Sequence, residues 1–288
     1  MAVRYAPTQV NKGFDKSVSP NWQMVPVGGT RTLVVTGQVG LVPRVRSAAR
    51  VDPVTATVTK MGTTYRLTLT GSATAGRAWV EWVPSQDFVG PVDNDYVLEV
   101  SVKAEKTIRT AFHYVSDGRK QITNRKIADL DAMITGANAI LTPQANIKLT
   151  RKSAAALPIA QNLGDIVRFS KHLEGPPDNV DPKQHEWGVV TAGADGTADF
   201  NVFFVHAYEQ DNTPYVNDTR AGTIASEKNC LLEDNIDNAS ETLAHETLHL
   251  LGIGPHSAVT SHLIASGAVR TGQVISRDEA NTTNPSGT

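Results

Sequence analysis

The sequence His-Glu-Thr-Leu-His-Leu-Leu-Gly-Ile-Gly-Pro-His, residues 245–256, places metal-binding side chains at helical spacing ahead of a glycine that can end a helix. Residues four apart on an α-helix lie about 40° apart around its axis, so His245 and His249 project from one face. Two imidazoles on successive turns can bind one Zn²⁺ at about 2.0–2.1 Å each. The segment therefore predicts a metal site on a helix.

The residues around these histidines predict the rest of the site. Glu246 lies about 100° from His245 around the helix, where its carboxylate can reach a metal-held water as a general base. Gly252 can adopt the positive φ of a helix-ending turn, after which His256 can be a third ligand. Three protein ligands leave one position for water, which is typical of a catalytic zinc site. The alternative interpretation is a helix with surface histidines and no metal.

The helix that carries the motif is predicted to run from about Ala239 to Leu251. Asn238 can cap it, with Glu241 three residues on as in a capping box. The side opposite the histidines carries Leu243, Thr247, Leu250 and Leu251, so one side is expected in the core and the other at a cleft.

The chain from 107 to 288 is expected to form one α+β domain with a mixed sheet. Apolar residues spaced three and four apart from Thr123 to Leu141 predict a helix that Pro143 stops. The Gly-, Pro- and Asp-rich stretch 171–199 predicts a long surface loop. Strands are predicted from β-type runs at Ile108–Val115, Asn146–Thr150, Asp165–Phe169, Asn201–Tyr208, Gly222–Ser226 and Cys230–Glu233.

Residues 1–106 have a different pattern and are expected to form an N-terminal arm and an all-β sandwich. Residues 1–22 are polar and irregular and predict a tail, whereas residues 25–103 alternate Val-, Thr- and aromatic-rich runs with Gly and Pro. The pattern predicts an antiparallel sandwich and resembles bacterial immunoglobulin-like modules. Its strands are predicted at Arg31–Val39, Val54–Lys60, Thr64–Thr70, Arg77–Val83 and Tyr96–Lys103.

The motif resembles that of the metzincin zinc peptidases, His-Glu-x-x-His-x-x-Gly-x-x-His, in which a tight turn places a Met beneath the zinc. The order of predicted elements over 107–288 is similar to that of the family. The resemblance implies zinc ligands at His245, His249 and His256, a base at Glu246 and a turn at Gly252. It implies a zinc-dependent endopeptidase that hydrolyses peptide bonds through a zinc-bound water activated by Glu246.

The spacing after Gly252 departs from the family pattern. His256 follows it by one residue more than usual, as though Pro255 had been inserted. His262 is therefore an alternative third ligand, and Glu279 is another under a gluzincin-like interpretation with a downstream carboxylate.

A second departure concerns the Met-turn. No methionine follows Met133. Segment 261–266 is similar to the turn, with Ile264 at the Met-turn-like position, where an apolar side chain can supply packing.

The resemblance also implies where a substrate lies. An extended protein or peptide substrate would pair through its backbone with an edge strand formed by Gly222, Thr223, Ile224 and Ala225. Such pairing tolerates many sequences, so no side-chain preference is predicted.

Composition excludes some partners and leaves others open. The 288 residues carry a net charge of −2, and 40% are hydrophobic, so neither a nucleic-acid nor a membrane partner is expected. The one cysteine, Cys230, is predicted to be a small core residue. No Sec-type signal is apparent, so we expect a cytoplasmic location or export by a signal-independent route such as a virion or a secretion or injection machine.

A competing hypothesis is a structural, adhesive or delivery-system protein whose β domain docks a partner and whose metallopeptidase domain is degenerate. Chelator-sensitive peptide cleavage would separate the two hypotheses.

Overall fold

The structure, a computed structural model, describes residues 2–37, 40–168, 186–209 and 220–286. Contacts along the chain divide it into two compact units, one of residues 1–106, 140–148 and 256–288, the other of residues 107–139 and 149–255. The first unit thus includes two segments that the sequence analysis assigned to the second domain. The simpler division into 1–106 and 107–288 stays a prediction.

The described residues of the first unit contain nine strands. They are β1 (Arg4–Pro7), β2 (Phe14–Asp15), β3 (Asn21–Pro26), β4 (Thr30–Thr36), β5 (Val42–Ser47), β6 (Val54–Met61), β7 (Thr64–Gly71), β8 (Gly76–Val83) and β9 (Val97–Lys103). They form a four-stranded sheet in the order β1-β4-β7-β6 and a five-stranded sheet in the order β2-β3-β9-β8-β5.

One apolar cluster joins the inner faces of these two sheets. Leu67 and Leu69 of β7 are fully buried, as alternation along the strand predicts, and they pack with Leu98 and Val100 of β9. The arrangement is a β-sandwich. It is not purely antiparallel, because β3 pairs in parallel with β9.

The prediction that residues 1–22 form a tail is wrong. Strand β1 pairs with β4 and the segment Asn21–Pro26 pairs with β9. Trp22 is fully buried, and its indole Nε1 donates a hydrogen bond to Ser101 Oγ at 2.9 Å. Polar residues and turn signals dominate this stretch of sequence, so the few apolar residues that dock it carry no clear period.

The second unit is organised around a mixed five-stranded sheet. The strands that follow β9 along the chain are β10 (Lys106–Ser116), β11 (Ile147–Pro158), β12 (Val167–Arg168), β13 (Phe200–Val205), β14 (Tyr208–Glu209), β15 (Ala221–Ile224) and β16 (Asn229–Glu233). The order is β11-β10-β13-β16-β15, with β12 and β14 paired separately. Strands β10, β13 and β16 are mutually parallel, whereas β15 runs antiparallel to β16.

The buried centre of this sheet positions the strand at its end. All six residues of β13 and all five of β16 are buried, as expected for parallel strands covered on both faces. In the described part of the chain β15 is the terminal strand next to β16. Its four residues are half-buried, so one strand of the sheet remains accessible.

In the part of the chain that the structure describes, four α-helices accompany the strands. They are α1 (Leu130–Ala145), α2 (Glu186–Thr191), α3 (Ala239–Leu250) and α4 (Arg277–Thr283). None of the helices in the described ranges has the length and apolar character needed to cross a bilayer. The short helix α4 was not predicted, because its sequence is polar and shows no apolar period.

Two predictions around α1 and α2 need correction. Helix α1 begins at Leu130, not near Thr123, and it contains Pro143. Pro143 lies in the last turn and lacks the N–H of an i→i−4 bond, so α1 loses one helical hydrogen bond there and ends two residues later, before Asn146, which has φ 53°. Of the loop predicted at 171–199, residues 171–185 lie outside the described residues, and α2 occupies its later part.

Candidate metal centre

Helix α3 begins and ends where its sequence predicts, to within one residue. The Asn238 side chain accepts a hydrogen bond from Glu241 N at 3.1 Å and caps its first turn. Leu243 and Thr247 are fully buried, as expected, whereas Leu250 and Leu251 are only half-buried. His245 and Glu246 are buried, with exposures of 5% and 4%, and His249 is half-buried, so the chemical face of the helix is only partly accessible.

The two imidazoles of α3 converge on one point. The Nε2 atoms of His245 and His249 are 3.1 Å apart, and the rings meet at 77° with centroids 4.7 Å apart. Two nitrogens bound at about 2.05 Å to one tetrahedral ion would be about 3.3 Å apart. The observed separation therefore fits two ligands of a shared metal ion.

The turn after α3 fixes the orientation of His249. Gly252 has φ 98°, and its N–H donates to the His249 carbonyl while Ile253 N donates to the Leu248 carbonyl. These two bonds form a Schellman motif, which confirms the predicted glycine stop. The Ile253 carbonyl then lies 2.7 Å from His249 Nδ1 and accepts a hydrogen bond from its N–H, which leaves Nε2 with the lone pair.

Burial also favours the neutral form of His249. Desolvation lowers the pKa of its imidazole, and the hydrogen bond to Ile253 only partly opposes this effect. A neutral imidazole is the form that binds a metal.

His256 completes the cluster despite its longer spacing. It is exposed, and its ring nitrogens lie with those of His245 and His249 in a group whose ligand atoms are all within 4.8 Å of one another. A rotamer change at an exposed side chain can close such a gap without disturbing the core. Three histidines can therefore hold a metal ion here, and in the described ranges no other such group of three was found.

The segment at the predicted Met-turn lies beside the residue that follows His256. Ser257 N donates to the Ile264 carbonyl at 3.3 Å, and Ile264 is 1% exposed. Ile264 is thus a packed apolar residue, as its assignment requires. Its role beneath a metal ion stays a prediction.

Glu246 contacts the edge strand. Its Oε2 atom lies 2.6 Å from Thr223 Oγ1, in β15. The sequence predicts only a backbone role for Thr223, because no local pattern relates two residues that are 23 positions apart. Their contact depends on the order of the strands in the sheet, which places β15 beside α3.

The predicted edge strand is shifted by one residue. It spans Ala221–Ile224, and Ala225 lies in the turn that follows. Gly222 allows a close approach, because a Cβ there would be 2.6 Å from the Tyr208 hydroxyl. This packing holds the strand against the unit's core.

Cys230 of β16 lies near Glu246. Cys230 is fully buried, which confirms its prediction as a core residue. Desolvation raises the pKa of its thiol, and the nearby Glu246 charge raises it further. Cys230 is therefore a neutral thiol beside a buried carboxylate.

The two alternative ligands lie against each other. His262 Nδ1 is 3.2 Å from Glu279 Oε1 and 3.3 Å from Ser257 Oγ. Neither His262 nor Glu279 belongs to the cluster of three histidines. The structure brings together His245, His249 and His256, and neither alternative ligand joins them.

Comparisons with known proteins show only distant likeness. No protein-family profile and no curated protein sequence matches this chain. Metalloproteinase-II from Bacteroides fragilis is similar in structure with a TM-score of 0.36 and 10% identity, over 90% of this chain and 84% of that one. The GspB Siglec domain has a TM-score of 0.25 and 10% identity, over 50% and 74%. A chimeric titin Z1Z2 has 0.19 and 18%, over 36% and 100%. At TM-scores this low, none of these likenesses indicates an activity.

Proposed function

We propose that this chain is a zinc-dependent endopeptidase with His245, His249 and His256 as ligands and Glu246 as general base. The observation that carries the proposal is the 3.1 Å approach of two Nε2 atoms on α3, with a third histidine in the same cluster. A purely structural pair of histidines needs no buried carboxylate on the next residue, and Glu246 is 4% exposed.

The donor set favours zinc over harder cations. Imidazole nitrogens suit Zn²⁺, whereas Mg²⁺ and Ca²⁺ prefer oxygen ligands. When bound, Zn²⁺ supplies Lewis acidity that makes a water more acidic and polarises a carbonyl. Three histidines leave one coordination position for that chemistry.

Glu246 would move the proton. A carboxylate one residue after His245 is close enough to the ligands to take a proton from the attacking water and to deliver it to the leaving amine. Its burial keeps the carboxylate from bulk water and strengthens its electrostatic interactions.

The terminal strand β15 supports an extended peptide as substrate. Glu233 N donates to the Arg220 carbonyl at 3.1 Å, which makes these two residues a hydrogen-bonded pair. Bonded and non-bonded pairs alternate in antiparallel strands, so Gly222 and Ile224 bond toward β16. The backbone groups of Ala221 and Thr223 then face the outer edge, where a substrate strand can pair with them.

The test compares the unaltered chain with Glu246→Gln. We expect about one equivalent of zinc in both proteins, cleavage of unfolded casein by the unaltered chain alone, and loss of that cleavage on chelation with recovery on zinc addition. The variant should lose at least about 10²- to 10⁴-fold in kcat/KM, the usual contribution of a general base.

Two results would overturn the proposal. One is a purified protein without stoichiometric metal. The other is undiminished cleavage by Glu246→Gln, since that result would assign the hydrolysis to another group or to a contaminant.

The exposure of His256 and its extra residue of spacing favour one second candidate, a structural or delivery-system protein that retains the metal without catalysis. Zinc in both proteins with cleavage in neither is the outcome for that candidate.

A further inference from the structure

The hydrogen bond between Thr223 and Glu246 has a defined direction. The two oxygens are 2.6 Å apart, and Glu246 is buried. The Thr223 hydroxyl is the donor and Glu246 Oε2 the acceptor, at a distance typical of a good O–H···O hydrogen bond.

The neighbour of Thr223 on β16 is a thiol that has its own acceptor. Thr223 and Cys230 are cross-strand partners in the antiparallel pair, and theirs is a non-hydrogen-bonded pair, in which side chains are closest. The Cys230 thiol donates to the Leu231 carbonyl, with Sγ 3.5 Å from that oxygen. The Thr223 hydroxyl donates to Glu246 Oε2.

We infer that Thr223 is a positioning residue, whose hydroxyl holds the Glu246 carboxylate in the orientation needed for the proposed proton transfer. The inference rests on the proposed function and adds a residue that no sequence motif contains. The same residue directs its backbone groups to the outer edge of β15, where a substrate would pair. Substrate docking and orientation of the base thus meet at Thr223.

The first test separates the hydroxyl from the shape of the side chain. Thr223→Val removes the donor at nearly constant volume, whereas Thr223→Ser keeps it. We expect Thr223→Val to lower kcat by about 10- to 100-fold, as for other outer-shell partners in metal sites, with little change in KM or zinc content. Thr223→Ser should recover most of the lost kcat.

Thr247→Val is the matched control. Thr247 is a buried threonine next to Glu246 in sequence, and its hydroxyl donates to the Leu243 carbonyl of its own helix at 2.7 Å. The control should keep kcat within about twofold, because it removes a donor that does not contact the base.

The second test needs no metal. In chelated protein, urea unfolding is measured for Thr223→Val in the unaltered and in the Glu246→Ala background. If Thr223 holds the carboxylate, the substitution should change the unfolding equilibrium constant at least about twofold more in the unaltered background.

The outcomes separate failure of the positioning role of Thr223 from failure of the proposed peptidase function. Lack of coupling in chelated protein, or an unchanged kcat in Thr223→Val while Glu246→Gln is inactive, overturns the positioning role and leaves the proposed function intact. Absence of hydrolysis by the unaltered chain overturns the proposed function and the positioning role with it. Loss of kcat that Thr223→Ser does not recover also overturns the role of the hydroxyl.

Discussion

His249 and His262 differ in where they lie, not in the kind of partner that one ring nitrogen has. His249 Nδ1 donates to the Ile253 carbonyl, and its Nε2 lies 3.1 Å from that of His245. His262 Nδ1 lies 3.2 Å from the carboxylate of Glu279. A carbonyl and a carboxylate can each hold one ring nitrogen of a metal ligand, so the partner alone does not separate the two histidines. Position separates them, because His249 belongs to the cluster of three histidines and His262 does not.

The carboxylate in the second region is already engaged twice. Glu279 Oε2 accepts a hydrogen bond from Ser276 N at 2.8 Å and, with the Ser276 side chain, forms the capping box of α4. Its other oxygen faces His262. Both histidines are near oxygen acceptors. His249 lies in the cluster of three histidines, whereas His262 contacts the carboxylate that caps α4.

The strongest way to break this comparison is to remove each histidine in turn. We expect His249→Ala to lose zinc affinity by more than about 100-fold, beyond the 10- to 100-fold that loss of an outer-shell partner costs. His262→Ala should keep its zinc affinity within about twofold. Competition with a chelating dye measures both.

Equal loss of zinc in the two variants would contradict the comparison and return His262 to the ligand set. Circular dichroism of each variant, recorded first, shows whether the fold has survived.

A smaller effect should come from the turn that fixes His249. Gly252 has φ 98°, and a Cβ at this position would meet open space, so Gly252→Ala adds strain without a clash. We expect a loss of about 1–2 kcal/mol in the free energy of unfolding, measured in urea. Zinc affinity should fall about tenfold, because the carbonyl of Ile253 moves from His249.

Gly254→Ala is the matched control for this variant. Gly254 also has open space and lacks a positive φ. Stability and zinc affinity in this control should stay near those of the unaltered chain. A similar loss in both variants would show that the loop tolerates no side chain and that the turn has no special role.

Local geometry explains which parts of this site the sequence predicts. His245, Glu246 and His249 lie within one helical turn, so their relative directions follow from the helix period alone. The Gly252 turn is equally local. The sequence therefore predicts the relative directions of the two histidines and the carboxylate and the end of the helix, all of which the structure places as expected.

Nonlocal pairing explains what the sequence leaves out. The contact of Thr223 with Glu246 depends on the order β13-β16-β15, and no period within β15 encodes that order. The burial of Trp22 likewise depends on a parallel partner about 80 residues away in sequence. Residues 1–22 contain few buried apolar residues among many polar ones, so the sequence pattern predicts a tail there.

The smallest predicted effect tests the structural side of the comparison. Glu279→Ala removes half of the capping box and the partner of His262, so the free energy of unfolding should fall by about 1 kcal/mol. Asp278→Ala changes the neighbouring residue, whose side chain is 77% exposed and pairs with Arg277, and it should cost less than about 0.5 kcal/mol. Neither variant should alter zinc affinity. If Glu279→Ala lost zinc while remaining folded, its carboxylate would have to leave the helix cap to reach the metal, and the gluzincin-like ligand set would replace the one proposed.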